Sequence, residues 1–282
     1  MTMKNPFLLT LFLFLTISLS AQKVSVGKVT ENRSTEQEYF GNRCEIQLKV
    51  SGEEIRKYKY VKVSALNKAV DDQGIDMIDE EELDFDYEKI EDAVVELDLK
   101  LHTASRKASV IKELQGEVTL FNPTEANGAI VKVIGFQSKP NANLLPVKAP
   151  LKMVYLDKAA YEAFNKANKD KSEAELKKLP EATRVVAAML LNAFESFSFM
   201  SESDPNSLSF LIDGDFTKLV DVKFEDETGK EVERNGTMTS GDNLVVYYFN
   251  QPPSPKWKMT VYVEAAAALK KMPFSFANVD LP

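Results

Sequence analysis

The sequence predicts a mainly β protein: two β-sandwich domains joined by a short helical connector. Three observations carry that prediction. Short runs of alternating apolar and polar residues fill both ends of the chain, the signature of strands with one buried face. A glycine-free segment between them is rich in Ala, Lys, Glu and Leu at helical spacing. The order of motifs in the first half also recurs in the second, as two related domains would show.

The chain opens with Lys4, an apolar run from Phe7 to Ile17 and the small residues Ser18, Ser20 and Ala21. That is the pattern of a secretory signal peptide over residues 1–21, cleaved after Ala21. The run falls short of the roughly 20 apolar residues a spanning helix needs. An exported protein, periplasmic or extracellular, with no membrane span after cleavage is therefore expected. The chain has one cysteine, Cys44, so an internal disulfide framework and a multi-cysteine zinc site are both excluded.

Strands follow from the alternation. In "RCEIQLKV" Cys44 shares a face with Ile46, Leu48 and Val50, and is expected as a small buried hydrophobe. "YVKVSAL", "VVELDLKL", "GEVTLF" and "AIVKVIGF" continue the pattern, and "LSFLI", "LVDVKFED", "NLVVYYF" and "KMTVYVE" repeat it near the C-terminus. Between the two sets, Ser172 and Glu175 have capping-box spacing, and Pro180 separates that short helix from a second. Val186, Met189, Leu190, Ala193 and Phe194 form an apolar stripe on the second helix, read as a packing face. The resulting divisions are a first sandwich over 23–150, a helical connector over 151–205 and a second sandwich over 206–282.

The repeat is read from matched motifs. "VKVSALNKAVDDQG" runs from a strand into an acidic turn ending at Gly74, and "LVDVKFEDETG" does the same before Gly229. "VVELDLKL" from Val94 and "VVYYF" from Val245 follow, and then "IKEL" at Ile111 and "LKKM" at Leu269 lead to a final strand in each half. An Asp-x-x-Gly turn caps its own backbone donors and lets glycine take positive φ, so the acidic turns read as architecture. The "AVDDQG" turn, "RKASVIKELQGEVTL" and "MPFSFANVDLP" resemble motifs of uncharacterised exported proteins of Gram-negative bacteria. That resemblance implies paired immunoglobulin-like sandwiches and export, and it implies no catalytic residue.

Charge and motif content narrow the function. The formal net charge is −8, and loss of the leader removes only Lys4 and moves it to −9. Ten acids and one lysine between residues 76 and 92 account for all of that excess, so no basic patch suits a nucleic acid. Within this run Asp79 and Glu82 are the candidate calcium ligands, although the D-x-D-x-D-G order is missing. A solvated acidic loop leading into an edge strand is the favoured reading.

His102 is the only histidine, and neither an H-E-x-x-H helix nor a G-x-S-x-G elbow is present. Ser109 and Lys112 match S-x-x-K spacing, but on a segment that reads as extended. No catalytic residue and no cofactor are expected. The loop "FNQPPSPKWK" offers Trp257 between Lys256 and Lys258 as a partner-binding patch, or else as a plug for the core. A non-enzymatic envelope protein engaged in protein interaction, adhesion or scaffolding is the leading expectation. The alternative is a carbohydrate-binding module that stacks polysaccharide on Trp257, Tyr58, Tyr60, Tyr247 or Tyr248.

Overall fold

The computed structural model describes residues 23–34, 42–80, 85–158, 204–240 and 243–282. They form a mainly β structure of antiparallel sheets, as alternation predicts. The expected helices fall within 159–203 and lie outside the described residues, as do the leader and Glu82. No helix among the described residues is long and apolar enough to cross a membrane.

Fifteen strands are described: β1 (Lys23–Asn32), β2 (Arg43–Ser51), β3 (Tyr60–Asp71), β4 (Glu88–Lys89), β5 (Val94–Leu101), β6 (Val110–Phe121), β7 (Ile130–Ile134), β8 (Leu151–Leu156), β9 (Ser207–Gly214), β10 (Leu219–Glu225), β11 (Glu231–Val232), β12 (Arg234–Ser240), β13 (Leu244–Phe249), β14 (Lys258–Val263) and β15 (Leu269–Asp280). Sheets β1-β2-β5 and β15-β6-β3-β4 share one apolar cluster, which holds Cys44, Ile46, Leu48, Val63, Leu99 and Phe274. Sheets β12-β13-β9-β8 and β11-β10-β14-β7 share another, which holds Phe136, Phe210, Phe224, Phe249 and Trp257. Each pair of sheets is a sandwich-like unit.

The two units repeat one topology. β1, β2, β3, β4, β5 and β6 occupy the places that β8, β9, β10, β11, β13 and β14 hold in the second unit, and β12 is an addition. The acidic turns repeat atom for atom. Asp71 accepts from the backbone N–H of Gln73 and Ile75, and Asp226 from those of Thr228 and Lys230, at 2.8–3.0 Å. Gly74 and Gly229 follow with φ of 85° and 87°, which side chains rarely tolerate. Asp71 is fully buried and also accepts the N–H of Ser105 at 2.7 Å, so this turn ties down the next loop.

One strand of each unit comes from the far side of the other. β7, which follows β6, pairs with β14, while β15, which follows β14, pairs with β6. The expectation placed β7 in the first sandwich, β8 in the connector and β15 in the second sandwich, and the topology differs on all three. "LKKM" at Leu269 is likewise the counterpart of β7, not of the "IKEL" strand. The physical reason is that alternation reports which face a strand buries and is silent about its neighbours.

The seat for β15 is visible at Gly116, opposite Phe274. A Cβ there would meet the Phe274 ring at 2.5 Å and also strike the Ala65 carbonyl oxygen. Only glycine lets the ring approach β6 this closely. Exchange of this kind means that neither sandwich comes away as a continuous piece. A protease site introduced within 159–203 and cut should therefore leave two fragments that co-elute on gel filtration and separate only in denaturant. Two independently folded species eluting apart in native buffer would contradict the topology.

Candidate functional site

The units meet around a third apolar cluster: Tyr60, Phe121, Ala129 and Ala268, flanked by Tyr87, Val220 and Tyr262. Tyr60, Phe121 and Leu269 stand opposite one another across β3, β6 and β15, one row in from the join. The next row on that face is polar: Lys62 faces Thr119, and Thr119 faces Lys271. Thr119 Oγ1 donates to Ser64 Oγ at 2.8 Å, Ser64 contacts Glu117 Oε1 at 3.1 Å, and Lys271 Nζ reaches the same oxygen at 2.8 Å.

The second unit closes over this row and leaves a cleft of about 760 Å³. Its walls include Lys218 before β10, Asp221 on β10, Arg234, Thr237 and Thr239 on β12, and Glu264 in the crossover from β14 to β15. Two carboxylates of the second unit take the tyrosine hydroxyls of the first. Tyr60 donates to Asp221 Oδ2 at 3.2 Å and Tyr87 to Glu264 Oε1 at 2.7 Å. Lys62 Nζ sits 2.6 Å from Glu264 Oε1 and 4.3 Å above the centre of the Tyr87 ring. Arg234 completes the pattern, 3.0 Å from Asp221 Oδ1 and over the face of Tyr247.

These contacts set the protonation states. Burial pushes the Glu264 carboxyl up, but hydrogen bonds from Lys62 and Tyr87 and the charges of Lys62 and Lys218 outweigh it and hold the group below its ordinary value. Burial and neighbouring carboxylates push the Tyr60 and Tyr87 phenols up, so both remain hydrogen-bond donors at any physiological pH. At the base of the cleft Tyr60, Tyr87 and Lys62 are thus bonded across the join to Asp221 and Glu264. Its outer walls can offer a ligand charge, hydroxyls and a strand edge.

Of the residues singled out by sequence, Tyr60 and Tyr247 meet at this site as buried groups and the others lie elsewhere. Trp257 is buried, edge-on to Phe249 with ring centres 5.0 Å apart, so it fills the second core and does not front a partner. Lys256 pairs with Glu227 on the surface at 3.0 Å, and Lys258 starts β14 between Ile134 and Glu225. The proposed Trp257–Lys256–Lys258 patch is therefore not assembled. Tyr60 and Tyr247 are buried as well, and Tyr248 faces away from Tyr247 into a separate cluster with Leu244 and Val246.

Asp79 lies 3.1 Å from Nδ1 of the exposed His102, and among the described residues no three His, Cys, Asp or Glu side chains gather as metal ligands would. Ser109 precedes β6 and donates to Asp72, while Lys112 sits within β6 on extended backbone. Lys62 and Glu264 carried no sequence signal of their own, since topology alone brings them together. Set against protein-family models, curated proteins and solved structures, the chain matches none of them.

Glu264 supplies the test of this arrangement. Its depressed value means that the folded state favours the ionised carboxylate, so its contribution is full above the ordinary value of 4.5 and is lost as pH falls through the lower folded value. Glu264→Ala should cost about 3 kcal/mol at neutral pH, because Lys62 loses its buried partner. Glu264→Gln should flatten the loss of stability expected of the parent below pH 4.5. Urea melts across the acid range measure both, and parallel acid limbs for parent and Gln variant would show that the pair carries no such linkage.

Proposed function

We propose that this chain is an exported, non-enzymatic protein of the bacterial cell envelope that acts by protein–protein interaction, as an adhesion or scaffolding element. The carrying observation is the cleft, which both units wall and whose inner polar groups are spent on holding the units together. Such a site binds without a reacting group of its own. The finer reading of the fold is two immunoglobulin-like sandwiches, supported by the three-plus-four strand arrangement of the first unit and its repetition in the second. Export is inferred from the leader pattern of residues 1–21.

Burial of Trp257, Tyr60 and Tyr247 supports protein interaction over polysaccharide stacking, because sugar modules need such ring faces in solvent. Affinity capture from an envelope extract, run beside a glycan array, tests the reading. A specific protein partner with a blank array is expected. A glycan hit with no captured protein would reverse the order.

A further inference from the structure

The interaction reading leaves the partner open, and the walls of the cleft narrow it. β12 is the last strand of its sheet, paired with β13 on one side and with no strand on the other among the described residues. Its exposed residues Thr237 and Thr239 line the cleft. A free edge presents a row of backbone donors and acceptors, which binding proteins use to take up an extended segment as an added strand. The cleft volume also falls within the roughly 300–1,000 Å³ that binding sites occupy.

Charge selects the segment. Two of the carboxylates that line the cleft are withdrawn from solvent, Asp221 at 8% exposure and Glu264 at 10%, and both are bonded across the join. The third, Asp86, is exposed and has partners of its own. The cations stand further out: Arg234 at 29%, Lys218 at 39% and Lys271 at 64%. Each uses only part of its donor capacity in the contacts that hold it, since an ammonium carries three N–H groups and a guanidinium five. Lys62, Lys218, Arg234 and Lys271 against Asp86, Asp221 and Glu264 leave the cleft lining with one net positive charge, in a protein whose net charge is −8.

Resting on that reading, we infer that the cleft takes an extended, acidic segment of a partner protein, whose backbone adds to the edge of β12 while its carboxylates reach Arg234, Lys218 and Lys271. Apolar residues alternating with the acids would face the Phe216 and Leu219 side of the cleft, and both of these residues are partly buried. An acidic glycan would meet the same cations. It would find no use for the strand edge and little exposed ring surface.

Fluorescence anisotropy with the leader-free protein tests this, using a labelled short peptide of alternating Val and Glu, its Val–Lys counterpart, and the Val–Glu peptide N-methylated at alternate residues. The Val–Glu peptide should bind, more weakly as salt rises, and the Val–Lys peptide should not. N-methylation keeps the charge and removes backbone donors, so it should weaken binding about tenfold or more. Lys218→Glu with Lys271→Glu should do the same. Thr237→Glu, on the exposed edge, repeats the test should the double variant fail to fold.

Equal binding of the Val–Lys peptide, indifference to N-methylation, or no saturable binding up to about 1 mM would each overturn the inference. So would an oligogalacturonate that binds in place of the peptide. A captured envelope protein whose binding survives the double lysine reversal would overturn the cleft assignment and leave the interaction reading standing. Failure to capture any protein strikes that reading itself.

Discussion

Everything else in the structure depends on the exchange of β7 and β15 between the two units. The chain passes from β6 to the second unit through 122–129 and returns from β14 through 264–268, and the two passages are bonded to each other. Asn122 N–H donates to the Ala268 carbonyl at 2.9 Å, and Val263 N–H to the Ala129 carbonyl at 3.0 Å. Because Glu264 lies in the return passage, the exchange itself sets the carboxylate against Lys62 and Tyr87. The cleft is a by-product of how the units are tied.

Magnitudes show which contacts do the tying. β15 contributes Met272 and Phe274 to the first core and leans Phe276 and Val279 against it, with Leu281 just past its end. At about 1.5–3 kcal/mol for each fully buried large side chain, the two buried residues alone outweigh the exposed ion pairs, which are worth about 0–1 kcal/mol each. The Lys62–Glu264 pair is different in kind. Both partners are mostly withdrawn from water, so their attraction largely offsets their desolvation, and what the pair adds is a penalty for any other docking of the units. Apolar burial holds the exchange together, and the buried charges fix its geometry.

Much of the strand content was legible in the sequence. Cys44, Ile46, Leu48 and Val50 were expected on one buried face, and all four are fully buried. The acidic turns were legible as well, since an Asp side chain capping its own turn is a local event written in four residues, as Asp71 and Asp226 show. Trp257 was not, because a loop tryptophan flanked by lysines looks the same whether it faces solvent or plugs a core. The exchange was also invisible: β15 reads as a strand in any context, and only Gly116, a small residue in mid-strand, hints that a ring must lie across it. Lys62, Asp221, Arg234 and Glu264 sit far apart in sequence, and their meeting follows from that pairing.

The central claim is that exchange makes the two units fold as one, and the chain carries a probe for each. Its single tryptophan, Trp257, is buried in the second core, and its single cysteine, Cys44, is buried in the first. Burial and the nearby Glu31 and Glu45, against the opposing Arg33, push the Cys44 thiol up to about 11, so in the folded state it is protonated as well as shielded. Equilibrium urea unfolding should be followed in parallel by Trp257 fluorescence and by the rate at which Cys44 reacts with a thiol reagent. The account predicts coincident transitions with one midpoint. Two separated midpoints, with one core persisting after the other has opened, would contradict it.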